Sequence, residues 1–196
     1  MAAGFEKCCS KCWHSQDKPC PDLAACLITG PICHQSAECA EKIAARQVRL
    51  TREKVDRPVI YLGTGTCGLG AGAGKTLVEI KKYLASHKAD ADIVEVGCIG
   101  LCASEPMMDV QMPGKARISF SSVTADKVEM VLSCVYADTL PTENVLGQFR
   151  PAKGQSAWEK APFLDEHPFF VPQTRWVLAN CGVIDPGSLE EYVGAG

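Results

Sequence analysis

The stretch that decides the fold is PVIYLGTGTCGLGAGAGKTLVEI, residues 58–80. It begins as a short apolar run, typical of a buried strand, and ends as an amphipathic run, typical of a helix. Between the two lies a glycine-rich turn that contains Cys67. Such a turn can cradle a phosphate, and a cysteine within it can bind a metal. The stretch therefore allows three interpretations: a P-loop, a dinucleotide-binding turn and a metal site.

Both phosphate motifs fit the stretch poorly. A P-loop, G-x-x-x-x-G-K-[ST], needs a glycine five positions before Gly74, and that position is Leu69. The dinucleotide pattern G-x-G-x-x-G is present at Gly63, Gly65 and Gly68. In that motif the helix opens directly after the turn, whereas we expect the amphipathic helix to begin only near Gly74. The two phosphate interpretations are therefore disfavoured.

The metal interpretation rests on cysteines that follow two successive strands. A second strand, ADIVEVG, comes after the helix, and the sequence GCIGLC then supplies Cys98 and Cys102. The loops that follow both strands of a strand–helix–strand unit lie at the same end of the sheet. We therefore expect Cys67 to approach Cys98 and Cys102. Converging thiolates are what an iron–sulfur cluster requires, and the alternative is a set of buried, inert cysteines.

The rest of the pattern predicts an α/β domain over residues 56–137. MMDVQMPGKARISF predicts two strands around a PGK turn, and a helix is expected from Thr124. The order strand, helix, strand, strand, strand, helix is typical of a compact α/β domain. Residues 138–172, rich in proline and glycine, predict an extended linker. Residues 173–196 predict the start of a further unit, with a strand at RWVLA and a short helix capped by Ser188.

Residues 1–42 form a cysteine-rich segment with few large aliphatic side chains. Because such a segment cannot build much core, we expect a bound metal or a partner to stabilise it. Zinc or a 4Fe–4S cluster would suit its thiols, and the alternative is a thiol-rich segment that a partner orders. The candidate ligands are Cys9, Cys12, Cys20, Cys26, Cys33 and Cys39.

Composition limits the class of protein. The chain of 196 residues carries 20 basic and 23 acidic side chains, a net charge of −3, and so lacks the basic excess of a nucleic-acid-binding protein. No apolar run is long enough to predict insertion into a membrane, and no segment predicts a signal peptide. Twelve cysteines in such a chain are typical of metal binding or redox chemistry in a reducing compartment. We therefore expect a cytoplasmic protein.

A family resemblance rests on the motifs GTGTCGLGAGA and VGCIGLCASEPMMDV and on the helix that begins TADKVEMVL. Together they resemble the thioredoxin-like 2Fe–2S ferredoxin domain. That domain occurs as the small subunit of NADH-dehydrogenase-type complexes and fused to the front of NADH-oxidising flavoprotein subunits. The tail RWVLANCGVIDPGSLEEYVGAG is similar to the start of the FMN- and NADH-binding domain of such flavoprotein subunits. The resemblance implies a thioredoxin-like domain with a mixed four-stranded sheet, and a cis peptide bond before Pro106.

The resemblance also implies a set of cluster ligands. The family binds its cluster through C-x4-C after the first strand and C-x3-C after the second. In this sequence three of the four positions carry cysteine: Cys67, Cys98 and Cys102. The first position is Leu62, so a cysteine of the N-terminal segment, or the hydroxyl of Thr64 or Thr66, would have to complete the set. Otherwise the cluster has been lost and the domain is a scaffold.

The function that the resemblance implies is an iron–sulfur electron-transfer or scaffolding module. Its partners would be other subunits of a flavin- and iron–sulfur-containing oxidoreductase. The glycine-rich FMN/NADH loop of the family does not occur in this sequence, so we expect no FMN or NAD site and no turnover of NADH by this chain alone. The alternative is a non-redox docking subunit with a degenerate ferredoxin fold and a structural metal at the N-terminus. A thiol–disulfide enzyme is disfavoured, because no C-x-x-C follows the first strand.

Overall fold

The computed structural model describes residues 37–195, which divide into two compact units. The larger unit is Lys54–Pro186, and the smaller one contains the described residues on either side of it. The helices are α1 (Ala37–Leu50), α2 (Thr66–Ala71), α3 (Ala73–His87), α4 (Val128–Tyr136) and α5 (Leu189–Gly194). The strands are β1 (Val59–Gly63), β2 (Asp92–Val96), β3 (Met108–Gln111), β4 (Ile118–Phe120) and β5 (Val145–Gln148). Among the described residues, no helix combines the length and apolar character needed to cross a bilayer.

The strands of the larger unit form one mixed sheet in the order β2-β1-β3-β4-β5. β1 pairs in parallel with β2, and the other neighbours are antiparallel. All five residues of β1 are buried, as expected for an apolar run covered on both faces. Ile60 and Leu62 face a core shared with α3 and α4, whereas Val59 and Tyr61 face a second cluster with β2. The predicted α/β fold class, with a mixed sheet and helices, is confirmed.

The two long helices of this unit bury the faces that their periodicity predicts. α3 buries Ala73, Thr76, Ile80 and Tyr83, a spacing of three and four residues that places them on one side. The hydroxyl of Thr76 donates to the carbonyl of Val123 at 2.9 Å, so this buried polar group is satisfied. α4 buries its predicted inward residues, Val128, Val131, Leu132 and Val135. Together the helices close the larger core cluster on one face of the sheet.

The sheet has one strand more than the four expected. β5 arises within residues 138–172, the segment predicted to be an extended linker, and pairs with the outer edge of β4. Trp158 fixes this segment, because its indole N–H donates to the carbonyl of Ala116 at 2.8 Å and its backbone N–H donates to the Gln148 side chain at 2.8 Å. The extra strand satisfies backbone groups that the β3–β4 hairpin alone would leave exposed.

Four local features test finer predictions. The amphipathic helix α3 begins at Ala73, close to the expected Gly74, but it is preceded by the short helix α2, which the sequence did not predict and which a left-handed residue at Gly72 separates from α3. RWVLA was expected to be a strand and instead forms turns. Ser188 caps α5 as predicted, since its side chain accepts from the backbone N–H of Glu191 at 3.2 Å. The peptide bond before Pro106 is cis, as expected. The domain boundaries at 1–42, 56–137, 138–172 and 173–196 stay predictions.

Candidate metal centre

Cys67 lies on α2, directly beyond the end of β1. The helix approaches the strand so closely that a Cβ atom on Gly68 would lie 2.0 Å from the carbonyl oxygen of Gly63. Only glycine fits at such a contact, because real Cβ atoms essentially never come closer than 3.0 Å to another heavy atom. The contact therefore seats Cys67 at the end of the sheet. It also gives a reason for glycine at position 68, in a run whose helix propensity is low.

Cys98 and Cys102 lie in the loop and the 3₁₀ turn that follow β2. The backbone N–H of Thr64 donates to the carbonyl of Val96 at 3.0 Å, which extends the β1–β2 pairing to the point where both chains leave the sheet. Beyond it, a Cβ on Gly65 would lie 3.3 Å from the backbone nitrogen of Cys98, so the two loops are in contact. Both cysteine-bearing loops therefore leave the sheet at the same end, as the strand–helix–strand topology predicts.

The three thiols converge. The sulfurs of Cys67, Cys98 and Cys102 all lie within 4.8 Å of one another, and those of Cys98 and Cys102 are 3.6 Å apart. Two thiolates on one tetrahedral zinc ion, with bonds of about 2.3 Å, stand about 3.8 Å apart. Within residues 37–195, this is the group of cysteine, histidine and carboxylate side chains whose spacing would suit a metal ion. Cys67 and Cys98 are half-buried and Cys102 is exposed.

The thiols differ in their electrostatics. Hydrogen bonds with Cys98 and Cys102 lower the pKa of Cys67. Burial raises the pKa of Cys98 to about 12, although the backbone N–H of Gly100 donates to its sulfur at 3.2 Å and opposes the shift. Without a metal, Cys67 therefore ionises more readily than Cys98, which keeps its proton. A thiophilic cation would have to displace that proton, because metals bind the thiolate form.

Glu105 is a neighbour of the site that the sequence did not single out. Its side chain is buried, and its Oε2 accepts from the backbone N–H of Met107 at 2.7 Å. The carboxylate fills the space beside Gly63, where an added Cβ would lie 2.9 Å from Oε2. Burial raises the pKa of Glu105, and its interaction with Cys98 acts in the opposite direction. The signal available in the sequence was an acidic residue closely following the C-x3-C pair.

Within the part of the chain that the structure describes, no further predicted position brings a fourth thiolate to Cys67, Cys98 and Cys102. Leu62, at the first ligand position of the family, is fully buried opposite Met108 in the β1–β3 pair and belongs to the core cluster. The described residues thus bring together three thiols, whereas a 2Fe–2S cluster would need four donors. Cys39 falls on α1, in the smaller unit. Outside the described residues lie Cys9, Cys12, Cys20, Cys26 and Cys33. Their role as metal ligands stays a prediction.

Comparison with known proteins was made against family models, curated proteins and solved structures. No family model matches the chain, and no curated protein matches it. Among solved structures, the chain is similar to a thioredoxin-like [2Fe-2S] ferredoxin from Aquifex aeolicus, with 12% sequence identity and a TM-score of 0.41. The similarity covers 50% of this chain and 98% of the ferredoxin. We therefore base the function on the residues of the site and their geometry.

Proposed function

We propose that this chain is an iron–sulfur electron-transfer module of a flavoprotein oxidoreductase complex in the cytoplasm. The observation that carries the proposal is the convergence of Cys67, Cys98 and Cys102 within 4.8 Å at one end of the sheet. Soft thiolate donors select iron–sulfur clusters, zinc and Cu(I) over hard cations. Cys102 is exposed, which would bring such a centre close to the surface, where a redox partner can approach. The motifs shared with ferredoxin domains of NADH-dehydrogenase-type complexes support this kind of partner.

The cluster would be held by the three cysteines and by a fourth donor from elsewhere. A cysteine of residues 1–42 is the chemically preferred candidate, because thiolates dominate such sites. Thr64 and Thr66 follow β1 closely and offer only weaker hydroxyl donors. When bound, a 2Fe–2S cluster supplies one-electron transfer. The chain's own contribution is to fix the sulfurs and to donate the N–H of Gly100 to Cys98, a contact of the kind that tunes cluster potentials.

A second candidate is a non-redox docking subunit with a structural zinc ion. Two observations favour it: Leu62 is committed to the core, and the three sulfurs lie close enough together to bind one tetrahedral ion. Sulfurs on the two irons of a cluster stand farther apart, because the irons are themselves separated. Under this hypothesis the domain keeps a ferredoxin-like scaffold, and the metal stabilises the loops without exchanging electrons.

Anaerobic purification distinguishes the two candidates. The electron-transfer proposal predicts iron and acid-labile sulfide in equal amounts, visible absorption, and an EPR signal after reduction. Zinc without sulfide would support the docking subunit instead. A chain that stays colourless and binds neither metal after anaerobic reconstitution would contradict both.

Single substitutions then assign the ligands. Cys67→Ser, Cys98→Ser and Cys102→Ser should each abolish or strongly change the metal signal, because each removes one soft donor. Cys134→Ser is the matched control, since Cys134 lies on α4 and does not belong to the converging group. Loss of the signal in the control alone would refute the assignment. Substitution of each N-terminal cysteine in turn would identify the fourth donor.

A further inference from the structure

The segment from Phe169 to Gly182, far from Cys98 in sequence, contacts the loop that carries this cysteine. Arg175 donates through Nη1 to the carbonyl of Ile99 at 2.8 Å and through Nη2 to the carbonyl of Leu178 at 3.1 Å. Its guanidinium also lies over the ring of Phe170, 5.5 Å from the centroid. The arginine is thus held within its own segment while it reaches the loop. Its position is more defined than that of an ordinary surface cation.

Arg175 contacts the same peptide unit whose N–H donates a hydrogen bond to Sγ of Cys98. The carbonyl of Ile99 and the N–H of Gly100 belong to one planar peptide bond and point in opposite directions. On one side the carbonyl accepts from Arg175, and on the other the N–H donates to Sγ of Cys98 at 3.2 Å. A charged donor on the carbonyl polarises the peptide and strengthens the hydrogen bond that its N–H makes. Gly100, at φ +96°, permits this orientation of the peptide.

The same segment is anchored on both sides of this contact. Phe169 packs at 3.7 Å from the Cβ position of Gly100. At the other end, a Cβ on Gly182 would lie 2.2 Å from Cγ2 of Ile99. Gly182 therefore packs directly against the loop. The carbonyl of Gly182 accepts from Arg117, whose guanidinium is buried and paired with Asp109 of β3. The sheet therefore fixes the segment, and the segment fixes the loop.

We propose that Arg175 is a positioning residue of the metal centre, which acts on Cys98 through the peptide between Ile99 and Gly100. The segment from Phe169 to Gly182 is therefore part of the site, because it positions the loop that carries Cys98. This inference rests on the proposed metal-binding function. It adds that the sulfur of Cys98 depends on a residue more than seventy positions away in sequence.

The test compares arginine variants by their effect on a bound ion. The full chain is loaded anaerobically with Co²⁺, whose thiolate charge-transfer band reports the sulfur ligands, and the ion is then removed with a chelator. Arg175→Met should lose about 10–100-fold in Co²⁺ affinity in the competition with the chelator and shift the band, as removal of groups that support metal ligands typically does. Arg175→Lys keeps one charged donor and should be intermediate. Arg150→Met is the control, because Arg150 pairs with Asp165 and Glu166 and not with the loop.

A second measurement separates this inference from the proposed function. In the metal-free chain, hydrogen exchange of the loop amides at residues 99–101 should be faster in Arg175→Met, while the amides of the central strands stay protected. If the wild-type chain binds no Co²⁺, the metal function fails, and the exchange result still decides the role of Arg175. Unchanged exchange at the loop, or equal Co²⁺ affinity of Arg175→Met and the wild type, would overturn the inference.

Discussion

The substitution Gly68→Ala tests how the fold positions Cys67. The added Cβ would lie 2.0 Å from the carbonyl oxygen of Gly63, whereas ordinary contact begins at 3.4 Å. The neighbour is backbone of a buried strand and cannot yield, so α2 must move away by about 1.4 Å. Cys67 immediately precedes Gly68 on this helix and moves with it. Metal–ligand distances tolerate only about 0.2 Å, so we expect Cys67 to drop out of the site while Cys98 and Cys102 still bind.

The assay has a matched control in the same helix. Gly70 has no atom within 4 Å of its Cβ position, so Gly70→Ala should leave the site unchanged and stabilise the chain by about 0.5–1 kcal/mol. Gly68→Ala should cost about 1–3 kcal/mol, as overpacking typically does. With Co²⁺ as the probe, its thiolate charge-transfer band should fall by roughly one third, from three thiolates to two.

Two results would refute this reasoning. If Gly68→Ala binds Co²⁺ with the full wild-type band, the close contact between α2 and β1 does not set the position of Cys67. If both glycine variants shift the urea midpoint equally, the predicted steric conflict is absent. A chain that lost the sheet altogether would show it by far-UV circular dichroism, and the band would then be compared at a temperature where the sheet is intact.

Two further predictions concern the stability of the larger unit. Arg117→Met should lower the free energy of unfolding by about 3–5 kcal/mol in urea titrations, because it leaves the buried Asp109 carboxylate unpaired. Arg57→Met, which breaks an exposed pair with Asp92, should have no measurable effect, and equal losses would contradict the distinction. Burial raises the pKa of Tyr136 from its ordinary value of 10.0 to about 12. Below pH 10 the phenol is protonated in both the folded and the unfolded chain, so the folded state keeps its full stability. As the pH rises from 10 towards 12, only the unfolded chain loses the proton readily, and the free energy of unfolding falls. Tyr136→Phe should reduce that alkaline loss, and an unchanged pH profile would argue against it.

The sequence predicted the parts of the fold that rest on periodicity and topology. Because parallel neighbours release their loops at the same end of a sheet, the order of strands and helices sufficed to bring Cys67 towards Cys98 and Cys102. The structure does place these thiols together. The faces of α3 and α4 followed from apolar spacing in the same way.

The features that the sequence did not predict depend on tertiary contacts. α2 is six residues long and contains two glycines, so helix propensity gave no reason to expect it. The close approach of Gly68 to β1 is a tertiary feature that the sequence pattern does not show. β5 is four residues long and depends on Trp158 and Gln148, which bond across the loop that joins them. Arg175 gave no motif at all, because its carbonyl partner at Ile99 lies far away in the chain.

Leu62 limits which metal the three cysteines could hold. Its side chain lies in the core beside Ile60 and Ile80, on the face of β1 that the helices cover. Leucine at a fully buried position contributes to packing, and its truncation to alanine typically costs about 2–5 kcal/mol. The position is therefore used by the fold and is not a vacant ligand site. A cluster or a structural zinc ion in this chain must take its fourth donor from outside β1, because both are held by four protein ligands. A solvent molecule in the fourth position would instead give an open zinc site of the catalytic type.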